Sequence, residues 1–197
     1  MSSTQPSQIP PNEYKTKDSV VLVYTGENKG KTSAAIGLVC RALGNSWKVA
    51  FVQFIKHWEV GEHRFLAEVA PNFGDKLTFY VGGKGFYNAQ KLSAKNVSQE
   101  QHEQAALETY NFAMSCATSG AYQLVVCDEI NNAVNDGLLG ELDLADLVTK
   151  KHPKTSLCLT GRNFPKELLR CVDIATEMKK IKHHYDDNFL ANRGIDY

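Results

Sequence analysis

Nine residues dictate most of this chain's architecture. Thr25-Gly26-Glu27-Asn28-Lys29-Gly30-Lys31-Thr32-Ser33 lies between an unbroken apolar run at 20–24 and an Ala- and Leu-rich stretch at 31–43. Such a run suits a parallel strand buried on both faces, and the stretch after it reads as a helix stopping at Gly44. A glycine-rich loop at that junction aims backbone N–H groups and a helix amino terminus at one point, where an anion is held. Gly30 permits close backbone approach, Lys31 adds a positive charge, and the Thr32 hydroxyl can reach a magnesium ion. Three residues, not the usual four, separate Gly26 from Gly30-Lys31. The loop predicts binding of a nucleoside triphosphate.

A second buried strand ends in acid: Leu124-Val125-Val126-Cys127-Asp128-Glu129. Carboxylates at the carboxyl end of a central strand point into the crevice above the sheet, where Asp128 or Glu129 can hold magnesium. Further strands are expected at 48–55, 76–81, 155–159 and 173–178. Helices are expected at 98–118, with Ser98 and Gln101 as a capping box, at 142–150, and briefly after Pro165. Strand and helix alternate, so the fold class is α/β, a mainly parallel sheet flanked by helices and joined by right-handed crossovers.

At 197 residues the chain has room for one full core. Residues 20–197 are expected to form it, after a flexible arm at 1–19 carrying Pro6, Pro10 and Pro11. Residues 179–197 are polar and aromatic without a clear period. Lys plus Arg and Asp plus Glu both number 22, which argues against a general nucleic-acid binder. The five cysteines are widely spaced with no CxxC pair, so neither a zinc site nor a disulfide framework is expected. His183 and His184 are adjacent and project differently, which favours a non-metal role. Trp47 and Trp58 read as packing residues. Neither a signal peptide nor a run long enough to span a membrane is expected, and the location read from this is cytoplasmic.

The ordered set of motifs resembles the ATP:corrinoid adenosyltransferases of the CobA/CobO/BtuR type. It comprises Tyr24-Thr25-Gly26 with Lys29-Gly30-Lys31-Thr32, Arg41-Ala42-Leu43-Gly44, Val52-Gln53-Phe54-Ile55-Lys56, and Gly61-Glu62. Asp128-Glu129, Leu159-Thr160-Gly161-Arg162, Thr176-Glu177-Met178, Lys182-His183 and Gly194-Ile195-Asp196-Tyr197 complete it. The resemblance runs from Val20 to the last residue.

It implies a RecA-like P-loop fold, usually dimeric, that transfers the 5′-deoxyadenosyl group of ATP to cobalt(I) of a corrinoid and releases triphosphate. Such a metal nucleophile needs no general base, and the sequence offers no Ser-His-Asp or Cys-His arrangement. The resemblance gives Lys31 and the amides of Gly26, Glu27, Asn28, Lys29, Gly30 and Ser33 to the phosphates, and Thr32, Asp128 and Glu129 to Mg2+. Arg41 and Arg162 become nucleotide or substrate contacts. Phe86, with Tyr87, falls where the family closes over the corrinoid and displaces the lower axial ligand of cobalt(II). A reduced flavoprotein is the implied electron donor. Asn28 and Asn188 replace family glycines, Asn88 replaces a Trp, and Glu27 is expected to point away from the phosphates or pair with Lys29. The alternatives are a non-catalytic ATP-dependent corrinoid carrier or sensor, and another P-loop phosphotransferase or ATPase.

Overall fold

Six short strands carry the frame: β1 (Val21–Thr25), β2 (Val49–Gln53), β3 (Leu77–Val81), β4 (Leu124–Asp128), β5 (Ser156–Thr160) and β6 (Ile174–Glu177). A computed structural model of the chain describes residues 14–56, 59–85 and 97–197. The strands lie in the order β3-β2-β4-β5-β1-β6, and every pair is parallel. Every residue of β2, β4 and β5 is buried, which is why these strands read as continuous apolar runs.

Alternation along the strands sends side chains to two cores. On one face Val49, Phe51, Leu124, Val126 and Cys158 pack with Ala35, Val39 and Leu43 of helix α1 (Lys31–Gly44) and Leu66 of α2 (Gly61–Phe73). On the other, Ala50, Val52, Val125, Cys127, Leu157 and Leu159 meet Ala106, Tyr110 and Ala113 of α3 (Gln99–Thr118). Ile130 and Ala133 of α4 (Ile130–Asn135), with Leu144 and Leu147 of α5 (Glu141–Lys150), close the same face. Each fully buried Leu or Phe contributes roughly 1.5–3 kcal/mol by leaving water.

The six expected strands and the three longer expected helices are present, with ends shifted by one or two residues. The Ser98–Gln101 capping box is made reciprocally, at 2.8 and 3.3 Å. Helices α2 and α4 were not expected. The arm is tethered where it meets the sheet: Lys17 pairs with Asp173, and the Ser19 hydroxyl donates to Pro153 O at 2.6 Å. Its residues 1–13 lie outside the described residues, as do Trp58 and Phe86, Tyr87 and Asn88. Trp47 is 41% exposed, less a packing residue than expected. Among the described residues, no helix is long and apolar enough to cross a membrane.

Candidate nucleotide site

The ends of β1 and β4, with β5 between them, bring the two halves of the motif together. Gly26 and Gly30 have φ of 112° and 105°, in the left-handed region that glycine tolerates. A Cβ on Gly26 would come within 2.5 Å of Met178 O, so the loop packs directly on the chain leaving β6. Gly30 caps α1, whose first turn exposes Ser33 and half-buries Thr32. Lys31 curls into its own loop: its Nζ donates to the carbonyls of Gly26 and Asn28, both at 2.6 Å. Burial and then the Arg162 charge lower the Lys31 pKa, against the pull of Glu129, Glu27 and Asp128. The ammonium thus lies within electrostatic reach of every acid in the site.

Asp128 is fully buried and doubly bonded. Thr32 Oγ1 donates to one carboxylate oxygen at 3.1 Å and Thr160 Oγ1 to the other at 2.6 Å. The same Thr160 oxygen accepts the N–H of Glu129 at 2.9 Å, so β5 orients both acids. Burial raises the Asp128 pKa, with Lys56 and the two threonines opposing. Glu129 takes φ 64°, ψ 18°, a conformation that costs a non-glycine residue about 1–2 kcal/mol. Its carboxyl is pushed up to about 7, by burial first and the Asp128 charge second. Glu129 stands at the N-cap of α4, but its side chain makes no capping hydrogen bond.

A third group comes from the end of β2. Gln53 is buried, and its Nε2 donates to Glu129 Oε2 at 3.1 Å while its Oε1 is unpartnered. Lys56 pairs with Glu62 of α2 at 2.9 Å. Burial pulls Lys56 down, but Glu129, Asp128 and Glu62 outweigh it and leave its pKa raised. The chain beyond β3 runs against this edge, with Gly82 N bonded to Gln53 O at 3.0 Å and Gly85 N to Ile55 O at 2.8 Å.

Glu27 and Arg41 take the following places. Glu27 does not pair with Lys29; its carboxylate lies 3.6 Å from Nε of Arg162, with both side chains more than half exposed. Lys29 is drawn away by Asp196, at 3.5 Å. Arg41 sits exposed in the last turn of α1. Ten residues of helix put it about 15 Å along the axis from Lys31, out of reach of phosphates on the loop. Gln53, Lys56, Glu62 and Thr160 were visible in the motifs but carried no role. Gln53 and Thr160, like Asp128, end buried strands, but being uncharged they carry a weaker signal in the sequence.

The Thr32 hydroxyl and the two carboxylates form an oxygen-only donor set. Among the described residues no group of three or more His, Cys, Asp or Glu forms a metal cage. A magnesium ion fits such a place, since it takes one or two carboxylates and fills its shell with phosphate oxygens and water.

A lysine-bearing loop after the first strand, facing a buried acidic pair across one intervening strand, defines a P-loop nucleotide-binding protein. The ATPase EscN of enteropathogenic Escherichia coli shares this fold, with a TM-score of 0.50 at 14% identity over 87% of this chain and 45% of its own. The chain belongs to the ATP:corrinoid adenosyltransferase BtuR/CobO/CobP family, which it matches over residues 17–197. A corrinoid adenosyltransferase of Pseudomonas aeruginosa is 33% identical over 181 residues, covering 90% of this chain and 83% of the relative. One from Escherichia coli K12 is 29% identical over 180 residues, covering 90% and 85%.

Proposed function

We propose that this enzyme transfers the 5′-deoxyadenosyl group of ATP to the cobalt of a corrinoid and releases triphosphate. The observation that carries the reading is the shortened phosphate loop, closed around Lys31 at 2.6 Å, in a chain that matches the family along nearly its whole length. The electron pair of the substrate's cobalt(I) attacks the 5′ carbon. A cobalt–carbon bond forms as the carbon–oxygen bond breaks, and that bond's electrons leave on triphosphate. No proton moves, so the chain's task is positioning and charge stabilisation.

Lys31 exchanges its two carbonyl bonds for phosphate oxygens, and the loop amides of residues 26–33 meet the remaining charge. Thr32, Asp128 and Glu129 would hold Mg2+, which would supply positive charge to the departing triphosphate. Arg162 leaves its exposed pair with Glu27, a contact worth little in water, for the anionic substrate. Phe86 and Tyr87 cover the corrinoid from the segment beyond Gly85, and Arg41 contacts the nucleotide away from its phosphates. A homodimer and a reduced flavoprotein donor, from the family resemblance, and a cytoplasmic location, from the sequence's lack of a signal peptide or membrane run, complete the reading.

Phosphorus NMR of the spent nucleotide tests the bond that breaks. Intact triphosphate without ADP is expected in step with corrinoid alkylation. ADP and phosphate would instead assign the site to phosphoryl transfer or hydrolysis.

A further inference from the structure

We infer that the carboxyl-terminal segment is part of the nucleotide site, and that Asp196 is a positioning residue for the phosphate loop, acting through Lys29. The segment leaves β6 at Met178, whose N–H donates to Thr25 O at 2.8 Å and whose carbonyl lies against Gly26. It ends at Tyr197, whose main chain lies beside Gly61 at the start of α2; a Cβ there would meet it at 3.7 Å. β6 is the sheet edge, and β2, which leads to α2, stands four positions away, about 19 Å at ordinary strand spacing. Residues 179–197 therefore form a strap from one edge of the sheet to the Lys56–Glu62 pair, passing the phosphate loop on the way.

The contact with the loop is specific. Lys29 Nζ lies 3.3 Å from the main-chain oxygen of Asp196 and 3.5 Å from its Oδ1. The carboxylate is the anchored partner, only 7% exposed, whereas Lys29 is 57% exposed. Asn192 N donates to Oδ2 at 2.8 Å, and His183 Nε2 and His184 Nε2 each stand 3.5 Å from a carboxylate oxygen. The bond from Asn192, and after it the Lys29 and His184 charges, lower the Asp196 pKa. Apart from Lys29, these contacts come from the same tail, from Asn192, His183 and His184.

Lys29 sits between Asn28, whose carbonyl holds Lys31, and Gly30, which starts α1. Fixing Lys29 at the rim fixes the shape of the turn that must wrap the phosphates, and keeps its own ammonium from collapsing into that turn. The inference rests on the nucleotide reading of the loop but not on transfer to cobalt. It extends the site to a residue 167 positions away in sequence.

Calorimetric titration of ATP into the full chain is the test, with Asp196→Asn, Asp196→Glu, Lys29→Ala and the double Asp196→Asn/Lys29→Ala variant. Asp196→Asn is expected to weaken ATP about tenfold, Asp196→Glu to recover most of the loss, and the double variant to be no weaker than the poorer single one. In turnover assays the change appears in KM for ATP and not in KM for the corrinoid. Losses that multiply in the double variant would overturn the inference, as would an Asp196→Asn protein that melts earlier yet binds ATP within twofold of the parent. Lys29→Ala probes the contact from its exposed side, so the test survives if the Asp196 variants fold poorly. An unsubstituted chain that does not bind ATP at all would overturn the nucleotide reading itself.

Discussion

The Thr32 hydroxyl lies 3.1 Å from a carboxylate oxygen of Asp128, tying the first turn of α1 to the end of β4 across 96 positions of sequence. The other oxygen of Asp128 is taken by Thr160, so two strand ends and the start of α1 are locked into one oxygen-lined corner.

Under the proposed function, Lys31→Ala removes the loop charge assigned to the leaving triphosphate. We expect turnover to fall by at least about a hundredfold, the scale seen when a leaving-group or oxyanion stabiliser is lost. Steady-state assays at saturating ATP and corrinoid check it; near-parental turnover would reject the role of Lys31.

Thr160→Val leaves a fully buried carboxylate oxygen without its 2.6 Å donor and the Glu129 N–H without its acceptor. Losing a hydrogen bond to a charged group costs about 1.5–3 kcal/mol. Urea denaturation should register that loss, and Thr160→Ser, which keeps the hydroxyl, should restore most of it.

The Glu129 carboxyl, ordinarily near 4.5, is pushed up to about 7 in the folded chain. A raised carboxyl binds its proton more tightly when folded. Its stabilising effect is therefore full below about 4.5 and is lost as pH rises through about 7. The melting temperature of the ligand-free protein should fall between pH 5 and pH 8 by more than that of Glu129→Gln. A magnesium ion bound by this carboxylate would displace the same proton, so the cation should bind more weakly below pH 7, and Glu129→Gln should need more of it above pH 7, with the gap closing at lower pH. Identical pH profiles for parent and variant would remove Glu129 from this role.

Phe86→Ala should impair the reaction starting from cobalt(II) far more than the one starting from chemically prepared cobalt(I), because only the first requires loss of the lower axial ligand. Parallel assays from the two oxidation states decide it, and equal losses in both would argue against ligand displacement.

The sheet was legible because buried parallel strands leave little room for polar residues, and the loop because few places outside a phosphate site combine Gly30, Lys31 and Thr32 after such a strand. Helix α2 was not legible: it holds Gly61 and Pro71 and buries only His63 and Leu66, so its stability comes from packing under β3 rather than from pattern. Helix α4 has six residues, with two asparagines in its first turn, and follows a strained Glu129. In the site, Asp128 and Glu129 announced themselves by charge at a strand end. Gln53 and Thr160 did not, because their roles depend on which strands are neighbours. Of the two alternatives for Glu27, pairing with Lys29 is not formed, because Lys29 is claimed by Asp196 at a distant point of the sequence and Glu27 stands beside Arg162.

The most direct measurement is an anaerobic incubation with ATP, magnesium and chemically reduced cob(I)alamin, followed by absorbance and by triphosphate detection. A light-sensitive cobalt–carbon product, formed with one triphosphate per corrinoid, is the predicted result. ATP binding without any such product would contradict the assignment as an adenosyltransferase and point to a carrier or sensor.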